Sequence, residues 1–198
     1  MARQPADRFA EKIGRRLDLD QFAGYLAATW ILVNIDRYVG MPHNYYLLMD
    51  KADGRLRILP RDLMKGFGTF TSDYEPETPL QWGIERPRVS QRRVLERLFG
   101  MASFRSRYRE AVVPLMENVF TRERMFSRVA EMEQALTPCM KGRRREDFRL
   151  GTYGDRDGIN VAVERCVSAI RRLIEQRIDS VRGQLRGEAR GKRLTRRQ

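Results

Sequence analysis

The sequence NIDRYVGMPHNYYLL, residues 34–48, and the sequence ILPRDLMKGFG, residues 58–68, decide the fold and the candidate site of this chain. Between them, Asp53-Gly54 predicts a tight turn, because this pair favours the backbone of short hairpin loops. Residues 45–49 are aromatic and aliphatic, and residues 55–59 alternate polar and apolar side chains. Together these segments predict one small β-hairpin.

Outside this hairpin the pattern is helical. Asp18 or Asp20 can cap a helix that ends near Asn34 and has apolar residues at helical spacing. The stretch after Gly68 contains several Pro and Gly residues and is predicted to be a functional or surface loop. Further helices are predicted at about 91–99, 103–118, 121–136 and 158–185, with Ser103 and Thr121 as caps, Pro114 as a kink and a polar connector at 141–157.

The length and charge of the chain suggest three segments. Its 198 residues are enough for one domain with a single core. The net charge is +13, and 34 of the 39 basic residues are Arg, mostly interleaved with Asp and Glu as on a solvated helix face. We therefore expect a charged extension at 1–17, a folded body at 18–185 and a basic, disordered tail at 186–198.

Several classes of protein are disfavoured by the composition. The longest apolar stretch, residues 25–33, is too short to cross a membrane, and the charged first residues do not resemble a signal peptide. Cys139 and Cys166 have no CxxC partner, and one histidine argues against a His-rich metal centre. We expect a cytoplasmic protein with two reduced thiols and no membrane partner.

Three polar residues in the central run could carry chemistry. Asp36 follows the predicted helix, Asn44 lies eight residues later, and Asp62 follows the hairpin. A protein kinase arranges its catalytic base, its metal-binding Asn and its metal-binding Asp in this order. Caps and Asx-turns at Asn34, Asp36 and Asn44 would explain the same residues without any activity, because Asn and Asp favour such positions.

The complete sequence of residues 34–48 and 58–68 favours the catalytic interpretation. It resembles the CotH kinase family, the spore-coat protein H kinases, whose chains carry Asn-x-Asp, then His-Asn-Tyr-Tyr-Leu, then Leu-Pro-Trp-Asp-x-Asn/Asp-x-x-Phe-Gly. The resemblance continues more loosely to LIEQRIDSVRGQL near the end of the chain, and covers roughly residues 18–186. By this resemblance Asp36 matches the catalytic Asp, Asn44 stands near the metal-ligand Asn, and Asp62 matches the metal-binding Asp.

The resemblance implies both a fold and an activity. The fold is expected to be α+β but mostly α, organised like the C-terminal lobe of a kinase with one small hairpin that carries the site. The implied activity is phosphorylation of Ser or Thr in a protein substrate with ATP and Mg²⁺, where Asn44 and Asp62 would bind the nucleotide and the metal. His43 and Tyr45 also match motif positions, and we assign them structural roles.

Two departures from the family pattern reduce the expected activity. Arg61 stands where the family usually has Trp, and Met64 replaces a second oxygen ligand, which a thioether cannot do on magnesium. The 17 residues before the first predicted helix are also too few for a Gly-rich loop, a strand Lys and a helix Glu. We therefore expect weak ATP binding, and an N-lobe that is missing or separately encoded.

A non-catalytic binding protein remains the alternative. Its Arg-rich face and tail would dock an acidic protein or a nucleic acid. The sequence has no base-reading motif and no aromatic stacking platform, so a nucleic-acid partner is not expected.

Overall fold

A computed structural model describes residues 6–40, 43–63, 66–67, 79–85, 93–140 and 159–192. The described chain is mostly helical, with one antiparallel two-stranded sheet, which confirms the predicted fold class. Helix α2 is almost completely buried, and its main helical neighbour is α4. The elements in chain order are α1 (Ala6–Gly14), α2 (Leu19–Ile31), β1 (Tyr45–Met49), β2 (Leu56–Pro60), a 3₁₀ turn (Pro79–Gln81), α3 (Arg93–Gly100), α4 (Ala102–Pro114), a π-helical turn (Leu115–Val119), α5 (Arg122–Met140) and α6 (Ile159–Leu185).

Helix α2 is fixed at both of its ends. At its start, the Asp18 carboxylate accepts a hydrogen bond from Gln21 N at 3.1 Å, as the predicted N-cap requires. At its end, the Trp30 indole stacks on Trp82 with ring centroids 3.8 Å apart and donates to Gly83 O at 2.7 Å. The loop that follows α2 therefore leaves from a rigid helix end.

Arg177 of α6 binds the same end of α2. This buried guanidinium donates to Trp30 O at 2.9 Å, Ile31 O at 3.3 Å, Leu80 O at 3.0 Å and Trp82 O at 2.8 Å. Burial lowers the pKa of Arg177 to about 10, so the side chain is still a cation at neutral pH. A cation is favourable here, because the last carbonyls of a helix carry partial negative charge.

The hairpin forms where the sequence predicts it. Strands β1 and β2 pair in a register that runs from Tyr45 opposite Pro60 to Met49 opposite Leu56. Gly54 has a φ of 68°, a left-handed conformation that glycine adopts without strain. The Asp53-Gly54 turn is therefore confirmed.

The hairpin is attached to α2 through its second strand. The Gln21 side chain donates to Ile58 O at 2.6 Å and accepts from Ile58 N at 3.0 Å. Arg57 of β2 also bonds the Asp18 cap at 3.3 Å. The start of the buried helix and the second strand therefore form one connected unit.

Two local expectations are corrected by the structure, and a third is confirmed. Residues 1–17, expected only as a charged extension, contain helix α1, whose Phe9 and Ile13 pack against the core. Helix α4 begins at Ala102 with Met101 in the N-cap position, so Ser103 lies inside the helix and is not its cap. The Thr121 cap is confirmed by its hydrogen bond from Arg124 N at 3.3 Å.

Pro114 ends the regular part of α4. A π-helical turn follows it at Leu115–Val119, in agreement with the predicted kink. Proline has no N–H to donate, and such interruptions of the hydrogen-bond ladder commonly produce local changes of helix type.

Two predicted loop or tail segments enter the folded body. Trp82 and Ile84 are buried core residues, so the described part of the predicted surface loop packs inside. Lys192 N donates to Gln81 O at 2.7 Å, and Gly83 N donates to Lys192 O at 3.0 Å. These bonds order residues 186–192, where we predicted disorder, because the chain returns to the loop at residues 81–83. Residues 193–198 and the predicted connector at 141–157 lie outside the described residues.

Many surface arginines have acidic neighbours. Arg128 lies 2.7 Å from Glu131 on the same helix, and Arg122 and Arg171 of neighbouring helices each lie 3.5 Å from a glutamate across the α5–α6 interface. These pairs agree with the interpretation of the arginines as solvated helix faces. None of the described helices is long and apolar enough to cross a membrane.

Candidate functional site

The loop between α2 and β1 forms the floor of the candidate site. It leaves α2 after Ile31 and passes through Ile35 and Val39, which are buried in the core. Gly40 can have no side chain, because a Cβ there would overlap the carbonyl oxygen of Ile35. The loop is therefore tightly folded, and it positions Asp36 against the body rather than in solvent.

The side chain of Asp36 is only 10% exposed and has a partner at each oxygen. Asn44 Nδ2 donates to Asp36 Oδ2 at 3.0 Å and to the Asp36 carbonyl at 3.0 Å. His43 Nε2 lies 3.2 Å from Asp36 Oδ1. The predicted catalytic residue and one predicted metal ligand are thus in direct contact, and His43 steadies the loop as expected.

The orientation of the Asn44 amide follows from its partners. Both Asp36 atoms within reach are oxygens that only accept hydrogen bonds, so the NH₂ group of Asn44 must face them. The amide oxygen then points away from Asp36. An oxygen in that position is a ligand of the type that magnesium prefers.

Arg37 connects the two halves of the site. This buried guanidinium donates to Asn44 O at 3.2 Å and to Asp62 O at 3.0 Å. Arg61 N donates to Asn44 O as well, at 3.0 Å. Asn44, directly before β1, and Asp62, two residues after β2, are therefore brought together through their main-chain carbonyls.

Sequence reasoning missed Arg37. Its neighbour in the chain, Asp36, was selected for its chemistry, whereas the function of Arg37 depends on a carbonyl 25 residues away. Burial raises the pKa of Tyr25, and the positive charge of Arg37 opposes that rise. No local pattern distinguishes such an arginine from the many exposed ones in this chain.

Asp62 lies directly after β2 with an exposed side chain. Its carbonyl is bound by Arg37, which places the residue beside the Asp36 and Asn44 pair. The structure therefore brings all three predicted residues to one place, two through a side-chain contact and the third through a bridging arginine.

The backbone around the site is strained. Val33, Asn44, Asp62 and Phe67 have φ values of 50°, 59°, 53° and 56°, in the left-handed region that non-glycine residues usually avoid. All four lie between the end of α2 and the segment after β2. Strained backbone persists only where the surrounding structure determines it, and it clusters at functional sites.

Asn34 does not act as a cap. Its side chain is buried, and among the described residues neither its amide nitrogen nor its amide oxygen has a hydrogen-bond partner. The Phe67 amide donates to Leu32 O at 2.6 Å, so the segment after β2 packs close to Asn34. The Asn34 side chain therefore makes no cap or turn hydrogen bond to any of the described residues.

Of the two residues that depart from the family motif, Arg61 is described by the structure and Met64 is not. The Arg61 guanidinium lies 5.5 Å from the ring centroid of Tyr46, so it stacks on the hairpin. Met64 lies outside the described residues. Tyr45 packs edge-on against Tyr38 with centroids 5.4 Å apart, in agreement with the structural role assigned to it.

The donor set fits a weakly held magnesium ion. Among the described residues there is no group of three or more His, Cys, Asp and Glu that could hold a metal. The Asp62 carboxylate and the Asn44 amide oxygen would supply two hard oxygen ligands. Magnesium usually keeps several waters and needs only one or two carboxylates beside the substrate phosphates, so this set is chemically suitable.

The structure brings together an Asp, an Asn and a second Asp in the chain order in which a protein kinase carries its base and metal ligands. A family model described as CotH kinase protein matches residues 1–181 of the 198. The chain therefore belongs to the CotH kinase family. No curated protein matches it.

Proposed function

We propose that this chain carries the base and the metal ligands of a phosphoryl-transfer site, which phosphorylates Ser or Thr in a protein with ATP and Mg²⁺. The observation that carries the proposal is the contact of Asn44 Nδ2 with Asp36 Oδ2 at 3.0 Å. It joins the residue proposed as base to a residue proposed as metal ligand. Family membership supports a kinase-like activity in general.

Asp36 is the proposed catalytic base. Its carboxylate orients the substrate hydroxyl and takes its proton while the hydroxyl oxygen bonds to the γ-phosphorus and the bond to ADP breaks. The contacts with Asn44 and His43 fix the direction of the carboxylate. Fixed geometry of this kind is a large part of catalysis in phosphoryl transfer.

Asn44 and Asp62 are the proposed magnesium ligands. When bound, Mg²⁺ neutralises charge on the nucleotide phosphates. Arg37 acts as a positioning residue, because it binds the carbonyls of both ligands and touches neither of their side-chain oxygens.

The proposal concerns only the half of the site that holds the base and the metal. Residues 6–14 and 19–31 are helices, unlike the Gly-rich hairpin that covers the phosphates in protein kinases. We therefore expect these residues alone to bind ATP weakly. Calorimetry with Mg²⁺ and ATP tests this, and low-micromolar affinity would contradict it.

The metal ligands can be tested without activity. Mn²⁺ replaces Mg²⁺ at oxygen sites, and as a paramagnetic ion it broadens the amide signals of nearby residues in an NMR spectrum. We expect broadening at Asn44 and Asp62, and its loss in Asp62→Asn. Asp53→Asn is the matched control, because Asp53 lies at the far end of the same hairpin and pairs with Arg55. Broadening that is unchanged in Asp62→Asn would contradict the assignment.

The base is tested by transfer of labelled phosphate from ATP to protein. With a nucleotide-covering lobe present, Asp36→Asn should lower the transfer rate by about 10² to 10⁴ and leave the circular dichroism spectrum unchanged. Asp53→Asn should keep the full rate. Transfer at the normal rate in Asp36→Asn would rule out its assignment as base.

A further inference from the structure

Strand β1 exposes an unusual row of apolar side chains. Tyr46, Leu47, Leu48 and Met49 are 55%, 57%, 51% and 63% exposed, although they are consecutive and lie on both faces of the hairpin. Edge strands in natural proteins are normally protected from pairing by charges, prolines or bulges. β1 contains none of these, so its exposure is a feature that needs an explanation.

The hydrogen-bond pattern shows which way the main chain of β1 points. Asp50 N donates to Arg55 O at 2.9 Å, so these opposite residues form a hydrogen-bonded pair. Bonded and non-bonded pairs alternate along an antiparallel ladder. Leu47 and Met49 therefore belong to non-bonded pairs, and their N–H and C=O groups point away from β2.

The two outer edges of the hairpin differ. On the β2 side, Leu56 N donates to Arg16 O at 2.7 Å, and the main chain of Ile58 is bonded to the Gln21 side chain. On the β1 side, the outward main-chain groups of Leu47 and Met49 have no such main-chain partner within the described residues. Among the residues that the structure describes, nothing pairs with the outer edge of β1, whereas the outer edge of β2 is bonded.

We propose that the open edge of β1 pairs with an extended strand of another polypeptide that has apolar side chains in its middle and acidic residues at its ends. Main-chain hydrogen bonds to an open sheet edge are a recurrent mode of peptide recognition. The apolar requirement follows from the four exposed side chains. The acidic requirement follows from exposed Lys51, just after β1, and from exposed Arg61, which follows β2 but whose guanidinium lies 5.5 Å from the ring centroid of Tyr46 near the start of β1.

A second copy of this chain is a poor occupant of the same edge. An antiparallel pair of β1 strands centred on Leu47 would place Lys51 of each copy opposite His43 of the other, close to Arg61. Like charges opposite one another destabilise a strand pair. The net charge of +13 adds repulsion over the whole surface. A strand with acidic ends would face neither like charges opposite its own ends nor repulsion from the positive surface.

The experiment uses a labelled nine-residue peptide with alternating Val and Thr in the middle and Asp-Glu at each end. Its binding to the complete chain is measured by fluorescence anisotropy. The same peptide with Lys-Arg ends should bind at least about tenfold more weakly, and so should an acidic-ended peptide N-methylated at the amides that face β1. Equal binding of the N-methylated peptide would exclude main-chain pairing and overturn the proposal.

Protein variants locate the binding surface. Leu47→Lys should weaken binding at least about tenfold, whereas Leu136→Lys on α5 should not, although Leu136 is 49% exposed and the added charge is the same. Hydrogen exchange of the unmodified protein should slow at Leu47 and Met49 when the acidic-ended peptide binds. Equal effects of the two substitutions, or unchanged exchange at both amides, would overturn the proposal.

Two further outcomes also count against it. Absence of binding up to about 1 mM peptide would show that the edge is not a docking site. Self-association of the chain that Leu47→Lys abolishes would show that a second copy occupies the edge. The proposal does not depend on phosphoryl transfer, so Asp36→Asn should bind the peptide normally.

Discussion

Two buried arginines organise different regions of this molecule. Arg177 lies in the helical body, and Arg37 lies under the candidate site. Within the described residues both donate to main-chain carbonyls rather than to carboxylates, Arg177 to four of them and Arg37 to two. Each arginine therefore connects segments of backbone that are distant in the sequence.

The surroundings of the two arginines differ. Arg177 binds the end of a regular helix beside the stacked pair of Trp30 and Trp82. Arg37 binds Asn44 and Asp62, whose φ values are both left-handed. A buried arginine thus stabilises the end of a regular helix at Arg177, and at Arg37 it stabilises loops with a strained backbone. The body should lose stability when its arginine is removed, and the site should also lose its geometry.

The largest effect is expected for Arg177→Met. The substitution keeps an apolar side chain in place but removes the Arg177 bonds from four carbonyls, of which Trp30 O keeps a bond from Val33 N and Trp82 O keeps one from Gln184 Nε2. Each group left unpaired costs about 1 to 3 kcal/mol. We expect the free energy of unfolding to fall by about 4 kcal/mol or more, measured by urea denaturation. Arg172→Met, at an exposed position on the same helix, should change it by less than about 0.5 kcal/mol. Similar values for both variants would show that the Arg177 bonds contribute little.

Arg37→Met should have a smaller effect on stability and a larger one on the site. Asp62 O and Asn44 O each lose a hydrogen bond, but Asn44 O keeps the bond from Arg61 N, so we expect a loss of about 2 kcal/mol in urea denaturation. The amide signals of Asn44 and Asp62 should shift, and their broadening by Mn²⁺ should weaken.

Arg37→Lys separates these two effects. A single ammonium restores the buried charge but does not offer the planar fork that binds both carbonyls. We expect partial recovery of stability without recovery of Mn²⁺ broadening. Recovery of both together would show that Arg37 acts on the fold alone, and the exposed Arg61→Met variant controls for the loss of a positive charge nearby.

The smallest effect on stability is expected for substitution of Asp18, which caps α2 and also binds Arg57 of the hairpin. The hydrogen bond from Gln21 N, with help from Arg57 and Arg55, lowers the pKa of Asp18 below its ordinary value of 3.8. Asp18→Ala should lower the free energy of unfolding by about 1 kcal/mol at neutral pH. Asp18→Asn should lose less, because an amide oxygen can still cap the helix.

The pH dependence of this effect has a definite sign. A carboxylate whose native pKa lies below its unfolded pKa stabilises the fold above the unfolded value, and that contribution is lost as the pH falls through the native value. The difference between wild type and Asp18→Ala should therefore be full above about pH 5 and shrink below 3.8. A difference that grows in acid would contradict the assigned cause.

Features set by neighbouring residues could be predicted from the sequence. The Asp18 and Thr121 caps and the Asp53-Gly54 turn each depend on contacts within a few residues, and all three are present. Helix α1 was missed because its short segment is dominated by charges. The order of residues 186–192 was missed because it depends on a loop about a hundred residues earlier.

The candidate site likewise contains residues that could be predicted from the sequence and residues that could not. Asp36, Asn44 and Asp62 could be selected because their chemistry and order are visible in one short run of sequence. Arg37 and the unpaired amide of Asn34 could not, because burial and carbonyl contacts decide their roles. Nor does the sequence show that the β1 edge is open, since that depends on what covers each side of the hairpin.

The left-handed residues at 44 and 62 have a consequence for selection experiments. Glycine would relieve the backbone strain at either position, but it would remove the amide that faces Asp36 or the carboxylate proposed to bind metal. A library of variants selected for heat resistance alone should therefore enrich glycine at position 62, whereas the two hydrogen bonds to Asp36 should keep Asn at position 44. The same library selected for retention of bound Mn²⁺ should keep Asn and Asp, and the two outcomes would measure separately what each side chain contributes.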